Sequence, residues 1–131
     1  MLQKQTHQLI DERYSGSVVE LAEGCSTVEL VTTREMAVDA SGLVHGGFIF
    51  SLADHAAMVA INHPNVVLGA ATVKFLLPVK AGEKAIATAR LARVDGKKQV
   101  VAVEVRREGD LVFEGEFTCF VPPKHVLGGA Q

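Results

Sequence analysis

The stretch Gly46-Gly47-Phe48-Ile49-Phe50-Ser51-Leu52-Ala53-Asp54-His55-Ala56-Ala57-Met58-Val59-Ala60-Ile61-Asn62-His63-Pro64 decides how this chain folds. From Phe48 to Asn62 it holds no glycine, no proline and few β-branched residues, which makes it the one long helix candidate. The glycine pair opens it, and His63-Pro64-Asn65 stops it because proline cannot continue a helix. At 100° per residue, the apolar side chains from Phe48 to Ile61 fill a continuous arc of roughly 220°. Only Ser51, His55 and Asn62 gather as a polar edge. A helix this apolar is wrapped by other structure rather than laid on a surface, and its alanines allow a neighbour to approach closely.

Asp54 breaks the pattern. It falls between Ile61 and Met58 with Phe50 near, so its carboxylate sits among apolar side chains, where burial disfavours the charged form. Such carboxylates concentrate at active sites, although a partly exposed Asp at a subunit edge reads equally well from the wheel. Gly47 lies seven residues earlier on nearly the same stripe. Gly46-Gly47 at a helix start leaves backbone N–H groups free for a carbonyl oxygen that gathers negative charge. A plain turn before a helix is the competing explanation. Seven residues span roughly 10 Å of helix, so Gly47 and Asp54 of one chain do not reach the same carbonyl. If both serve one site, two antiparallel helices in a two-fold dimer bring them together.

Outward from the helix, Leu2 to Tyr14 is expected to form a short helix ended by Ser15-Gly16. Val18–Leu21 and Thr27–Thr33 read as extended, and Arg34–Val44 as a loop containing Asp39-Ala40-Ser41-Gly42. After the helix, strands are expected at Gly69–Leu77, Lys84–Val94, Gln99–Arg107 and Leu111–Val121, forming an antiparallel meander of four. Pro78 to Gly82, Asp95-Gly96-Lys97 and Glu108-Gly109-Asp110 supply the turns. The tail from Pro122 to Gln131 is expected to be frayed. One central helix against a strongly curved sheet makes an α+β domain, and residues 1–131 read as a single domain without linker or repeat.

The composition excludes several function classes. With 48% hydrophobic and 21% charged residues the chain buries a core, and a net charge of −2 gives no footprint for nucleic acid. Tryptophan is absent and Tyr14 is the one tyrosine, which leaves little for stacking on bases. Cys25 and Cys119 fit no metal or redox spacing, and the five histidines lack zinc spacing, so no metal is expected. Free thiols suit a reducing compartment. With no signal peptide or membrane span evident, the expected location is the cytoplasm and no membrane contact is expected.

The run Val44-His45-Gly46-Gly47-Phe48-Ile49-Phe50-Ser51-Leu52-Ala53-Asp54-His55-Ala56 resembles the signature of hotdog-fold acyl-CoA thioesterases of the phenylacetate-pathway (PaaI-like) type. That family pairs His-Gly-Gly with an acid nine residues after the His, the spacing from His45 to Asp54. Thr72-Val73-Lys74-Phe75-Leu76-Leu77-Pro78, followed by Gly82-Glu83, is similar to the family's second strand and turn. The resemblance covers about Ser17 to Val121 and implies a hotdog fold, a long helix wrapped by a curved antiparallel sheet. It implies homodimers joined sheet edge to sheet edge, and homotetramers beyond them. It implies that the Gly47 N–H polarises a thioester carbonyl while Asp54 of the partner acts as nucleophile or as general base, and that His45 orients the loop.

The substrate implied is an acyl-CoA, so coenzyme A enters as part of the substrate and no cofactor is needed. Gly46, Phe48, Phe50, Met58, Thr72 and Phe75 are the expected substrate-binding residues, suiting an aromatic or a medium aliphatic acyl group. The chain departs from the family at Asp39, six residues before His45, where relatives commonly carry Asn. Asp39 is either a second acid coupled to Asp54 or a loop cap turned away. The other reading of the whole is a non-catalytic acyl-CoA-binding regulator with this fold.

Overall fold

A computed structural model describes residues 1–128. Helix α1 (Glu12–Ser15) precedes strands β1 (Ser17–Ala22) and β2 (Cys25–Val31). A 3-10 turn at Arg34–Met36 and the loop 37–45 lead into α2 (Gly46–Ile61). Strands β3 (Val67–Phe75), β4 (Lys84–Asp95), β5 (Lys98–Arg107) and β6 (Asp110–Phe120) follow. The six strands form one open antiparallel sheet in the order β1-β2-β4-β5-β6-β3, curved around α2: the hotdog fold. No helix among the described residues is long and apolar enough to cross a membrane.

Small residues let α2 sit deep in the sheet. Ala53, Ala56, Ala57 and Ala60 are buried, as are Ala85, Ala87 and Ala89 of β4 and Val101, Val103 and Val105 of β5. Phe113 and Phe117 fill the space beside the helix; truncating either would cost about 3–5 kcal/mol. Asn62 ends α2 in the left-handed conformation that Asn tolerates, its N–H reaching the Met58 carbonyl at 2.9 Å.

Three expectations are corrected. The four strands after α2 are not a simple meander, because β3 pairs with β6 and β4 with β2. The tight turns at Gly96 and at Glu108-Gly109 do make hairpins. Residues 76–83 instead cross the end of α2, bonding Val79 O to Val44 N and Glu83 O to Thr32 N, and so deliver β4 beside β2. The N-terminal segment is helical only over Glu12–Ser15. Leu9 is fully exposed, and residues 2–5 lie as a strap bonded to Leu21 O and the Asn62 side chain, with too few apolar contacts to hold a helix. His55, placed at a polar edge by the wheel, is buried under this segment. In the tail, residues 129–131 lie outside the described residues. Pro122 is held, its carbonyl accepting from Asn65 Nδ2 at 3.2 Å.

Candidate active site

The start of α2 is fixed from both sides. His45 N donates to Met36 O at 2.8 Å, Val44 N donates to Val79 O at 2.9 Å, and Phe48 N closes the first turn on His45 O at 3.1 Å. The N–H groups of Gly46 and Gly47 have no acceptor among the described residues. With the helix dipole behind them they form a site for a partly negative oxygen. The exposed His45 ring lies against Gly47: a Cβ added there would stand 2.9 Å from both Cδ2 and Nε2. Gly46 in turn meets Phe75, whose ring would be 3.1 Å from an added Cβ. A side chain at either glycine would have to displace one of these rings.

Beside Gly46 opens an apolar groove of about 320 Å³, bounded by Leu43, Ile49, Phe75, Leu77, Val79 and Val112. Of the expected substrate-binding residues, Gly46 and Phe75 meet here. Phe48 lies on the other side of the helix start, its ring between those of Tyr14 (5.8 Å) and His45 (6.2 Å, edge-on). Thr72 does not join them. It lines a separate groove of about 390 Å³ on the outer sheet face with Lys74, Glu104, Glu114 and Glu116, because its position on β3 points away from α2.

Two turns along α2, Asp54 faces β6. Its Oδ1 is buried and has no hydrogen-bond partner among the described residues. Burial pushes its carboxyl up to about 6 from the ordinary 3.8. Phe50, one turn before Asp54, packs on Phe117 at 5.4 Å, and Met58, one turn after, is fully buried. Met58 is thus core beneath Asp54 rather than an open pocket wall. Cys119 stands close enough to feel the charge: burial first, and the Asp54 carboxylate second, push its thiol up to about 12. That neighbour was not foreseen, since β6 reaches α2 only through the register of the sheet. Because α2 is one unbroken helix, Gly47 and Asp54 of one chain remain roughly 10 Å apart along it.

The family model for the thioesterase superfamily matches residues 41–114, which include the helix start, Asp54 and β3 to β5. The chain belongs to the thioesterase superfamily. Among solved structures, this superfamily member is 50% identical to an uncharacterised protein from Pyrococcus horikoshii, with a TM-score of 0.96, over 97% of this chain and 98% of that one. It is 28% identical to the PaaI protein of the E. coli phenylacetic acid degradation operon, TM-score 0.74, over 79% and 81% of the two chains. Among curated relatives it is 54% identical over 86% of its length to a protein named methylthioribose-1-phosphate isomerase from Aquifex aeolicus, of which it spans 25%. It is 30% identical over 78% of its length to the transcription factor FapR of Caldanaerobacter subterraneus, of which it spans 52%. The chain therefore spans between a quarter and about half of these two curated relatives.

Asp39 is turned into its own loop. Its Oδ1 accepts from Ser41 N at 3.0 Å, Ser41 Oγ at 2.6 Å and Leu43 N at 3.4 Å. The Ser41 hydroxyl, chiefly, holds this exposed carboxyl below its ordinary value. Burial alone raises Asp54, with no contribution from Asp39, so the two are not a coupled pair within one chain. The geometry is that of a loop cap.

Proposed function

We propose that this protein is an acyl-CoA thioesterase acting on a small aryl- or medium-chain acyl-CoA, and that its active unit is a homodimer with two shared sites. One observation carries the reading: a carboxylate oxygen buried without a partner, in an apolar setting that raises its pKa to about 6. At neutral pH such a group is ionised yet more basic than an ordinary carboxylate, which suits proton abstraction from water or direct attack on a thioester.

The N–H groups of Gly46 and Gly47, without an acceptor among the described residues, supply the other half, donating to the thioester oxygen as it becomes an oxyanion. With water as nucleophile, Asp54 takes a water proton, the oxygen adds to the carbonyl carbon, the C–S bond breaks, and the departing coenzyme A thiolate takes that proton, leaving the free acid. With Asp54 as nucleophile, its attack expels the thiolate and leaves a mixed anhydride, which water hydrolyses to the free acid and the restored carboxylate, the water proton going to the thiolate. Since one helix cannot bring both parts together, Asp54 comes from the partner chain, with the two α2 helices antiparallel. Edge strand β3 supports such pairing; it ends on the exposed Phe75, and the exposed Leu76 and Leu77 follow it. Pairing of dimers into a homotetramer follows from the resemblance alone. A free coenzyme A thioester as substrate makes the cytoplasm the expected location.

The likeness to PaaI supports an aryl acyl group, and the groove beside Gly46 carries no charged side chain to receive an acidic one. The likeness to FapR favours a second reading, an acyl-CoA-binding regulator. Thiol release from a panel of acyl-CoAs separates the two. A thioesterase turns over at least one aryl or medium-chain member; a regulator binds without release.

A further inference from the structure

The short helix α1 is tied to α2 more firmly than its single turn accounts for. Ser15 Oγ and Ser51 Oγ lie 2.6 Å apart, and the buried His55 holds the Ser15 carbonyl through Nδ1 at 3.0 Å. Gly16 follows at φ +89°, so closely packed that a Cβ would strike Glu29 O, Val28 and Leu52 at 2.8 Å, which seats the end of the helix against β2 and α2. These anchors fix Tyr14, whose hydroxyl donates to Glu35 at 3.3 Å and whose ring carries the Arg13 guanidinium at 5.2 Å. Tyr14 touches no part of the groove beside Gly46. Its ring packs on Phe48, Phe48 meets the edge of His45, and the His45 ring lies on Gly47.

We propose that Tyr14 is a positioning residue for the site: α1, anchored by Ser15, Ser51 and His55, buttresses Phe48 and so holds the His45 imidazole against Gly47. The inference rests on reading His45 and Gly47 as parts of the active site. The half-buried Phe48 has no other aromatic support besides Tyr14 and His45 among the described residues. Without the Tyr14 ring, Phe48 gains freedom to move and His45 loses its lateral wall. Displacements of about 1 Å at such a distance from the chemistry cost up to about 100-fold in rate.

The test compares Tyr14→Ala with Tyr14→Phe, which keeps the ring and loses only the bond to Glu35. The His45 ring signals are followed by NMR, assigned with a His45→Gln variant, and kcat and KM are measured on the best acyl-CoA of the panel. Tyr14→Ala is expected to shift the His45 signals and lower kcat roughly ten-fold with KM changed far less, while Tyr14→Phe restores both. His45 signals unmoved in folded Tyr14→Ala would overturn the buttress, and shifted signals with an unchanged kcat would overturn the positioning role. If the unaltered protein hydrolyses no member of the panel, the thioesterase reading fails instead, and the His45 signals alone decide whether α1 holds the ring. Should Tyr14→Ala fail to fold, Tyr14→Leu replaces it with the same expected outcomes.

Discussion

Replacing Asp54 by Asn should remove activity and at the same time make the fold relatively more stable as pH rises. In the folded chain the Asp54 carboxyl titrates at about 6, against 3.8 when unfolded. Between those values the folded protein holds a proton that the unfolded chain has released, so this contribution to stability is complete below about pH 4 and is lost as pH rises through about 6. About two pH units, at 1.36 kcal/mol each, set an upper value near 3 kcal/mol. Residual contact with water brings the expected figure to about 1–3 kcal/mol. An Asn has no such titration, and the constant cost of burying its amide cancels in a comparison across pH. Chemical denaturation of both forms at pH 4 and pH 8 should therefore show the variant gaining about 1–3 kcal/mol on the unaltered protein over that range. In thermal melts this amounts to roughly 5–10 °C for a domain of this size. A variant that instead loses ground as pH rises would mean that the ionised carboxylate is held by a favourable partner, and the account of Asp54 as a strained, reactive group would fail.

Other expectations follow from the same geometry. The acidic limb of kcat/KM should lie near pH 6, where Asp54 ionises, and Asp39→Asn should leave it in place because Asp39 caps its own loop; a limb displaced to lower pH in that variant would restore the coupled pair. Gly47→Ala puts a methyl 2.9 Å from the His45 ring, so kcat should fall at least ten-fold while circular dichroism shows an intact fold. Burial, chiefly, lowers His55 to about 4, so the folded chain refuses a proton that the unfolded chain takes up below about 6.5. Stability should decline as pH falls from about 6.5 to about 4, and His55→Gln should flatten that decline in denaturant titrations, opposite in sense to the effect at Asp54.

Most of the fold could be read from local signals. The 3.6-residue pattern of α2, its His63-Pro64-Asn65 stop and the Gly96 and Gly109 turns are each set by neighbours in sequence, and the structure follows them closely. Strand order was another matter. Nothing local distinguishes the Pro78–Gly82 connection from a hairpin; its crossing depends on bonds to Thr32 and Val44, more than thirty residues away. The same limit governs the site. Asp54, Gly47 and Phe75 stand out as residues of the wrong or the special type for their positions. Met58 and Thr72 did not reveal their direction, and the closeness of Cys119 and the stacking of Tyr14 on Phe48 exist only once β6 and α1 have docked on α2. His55 misled for a physical reason: a polar side chain on the outer arc of a wheel is buried here by the N-terminal segment, through His7 and Ser15, which the wheel does not contain.

The central claim is that Asp54 of one chain and the Gly47 N–H of the other act on the same thioester. Two inactive forms, Asp54→Asn and Gly47→Val, are unfolded together, refolded as a one-to-one mixture and assayed for thiol release, with heterodimers verified by native mass spectrometry. Half of the randomly paired dimers are mixed, and each carries one intact site of two, so the mixture should regain about a quarter of the unaltered activity while either form alone stays inactive. Confirmed heterodimers that release no thiol above the separate forms would contradict the shared site.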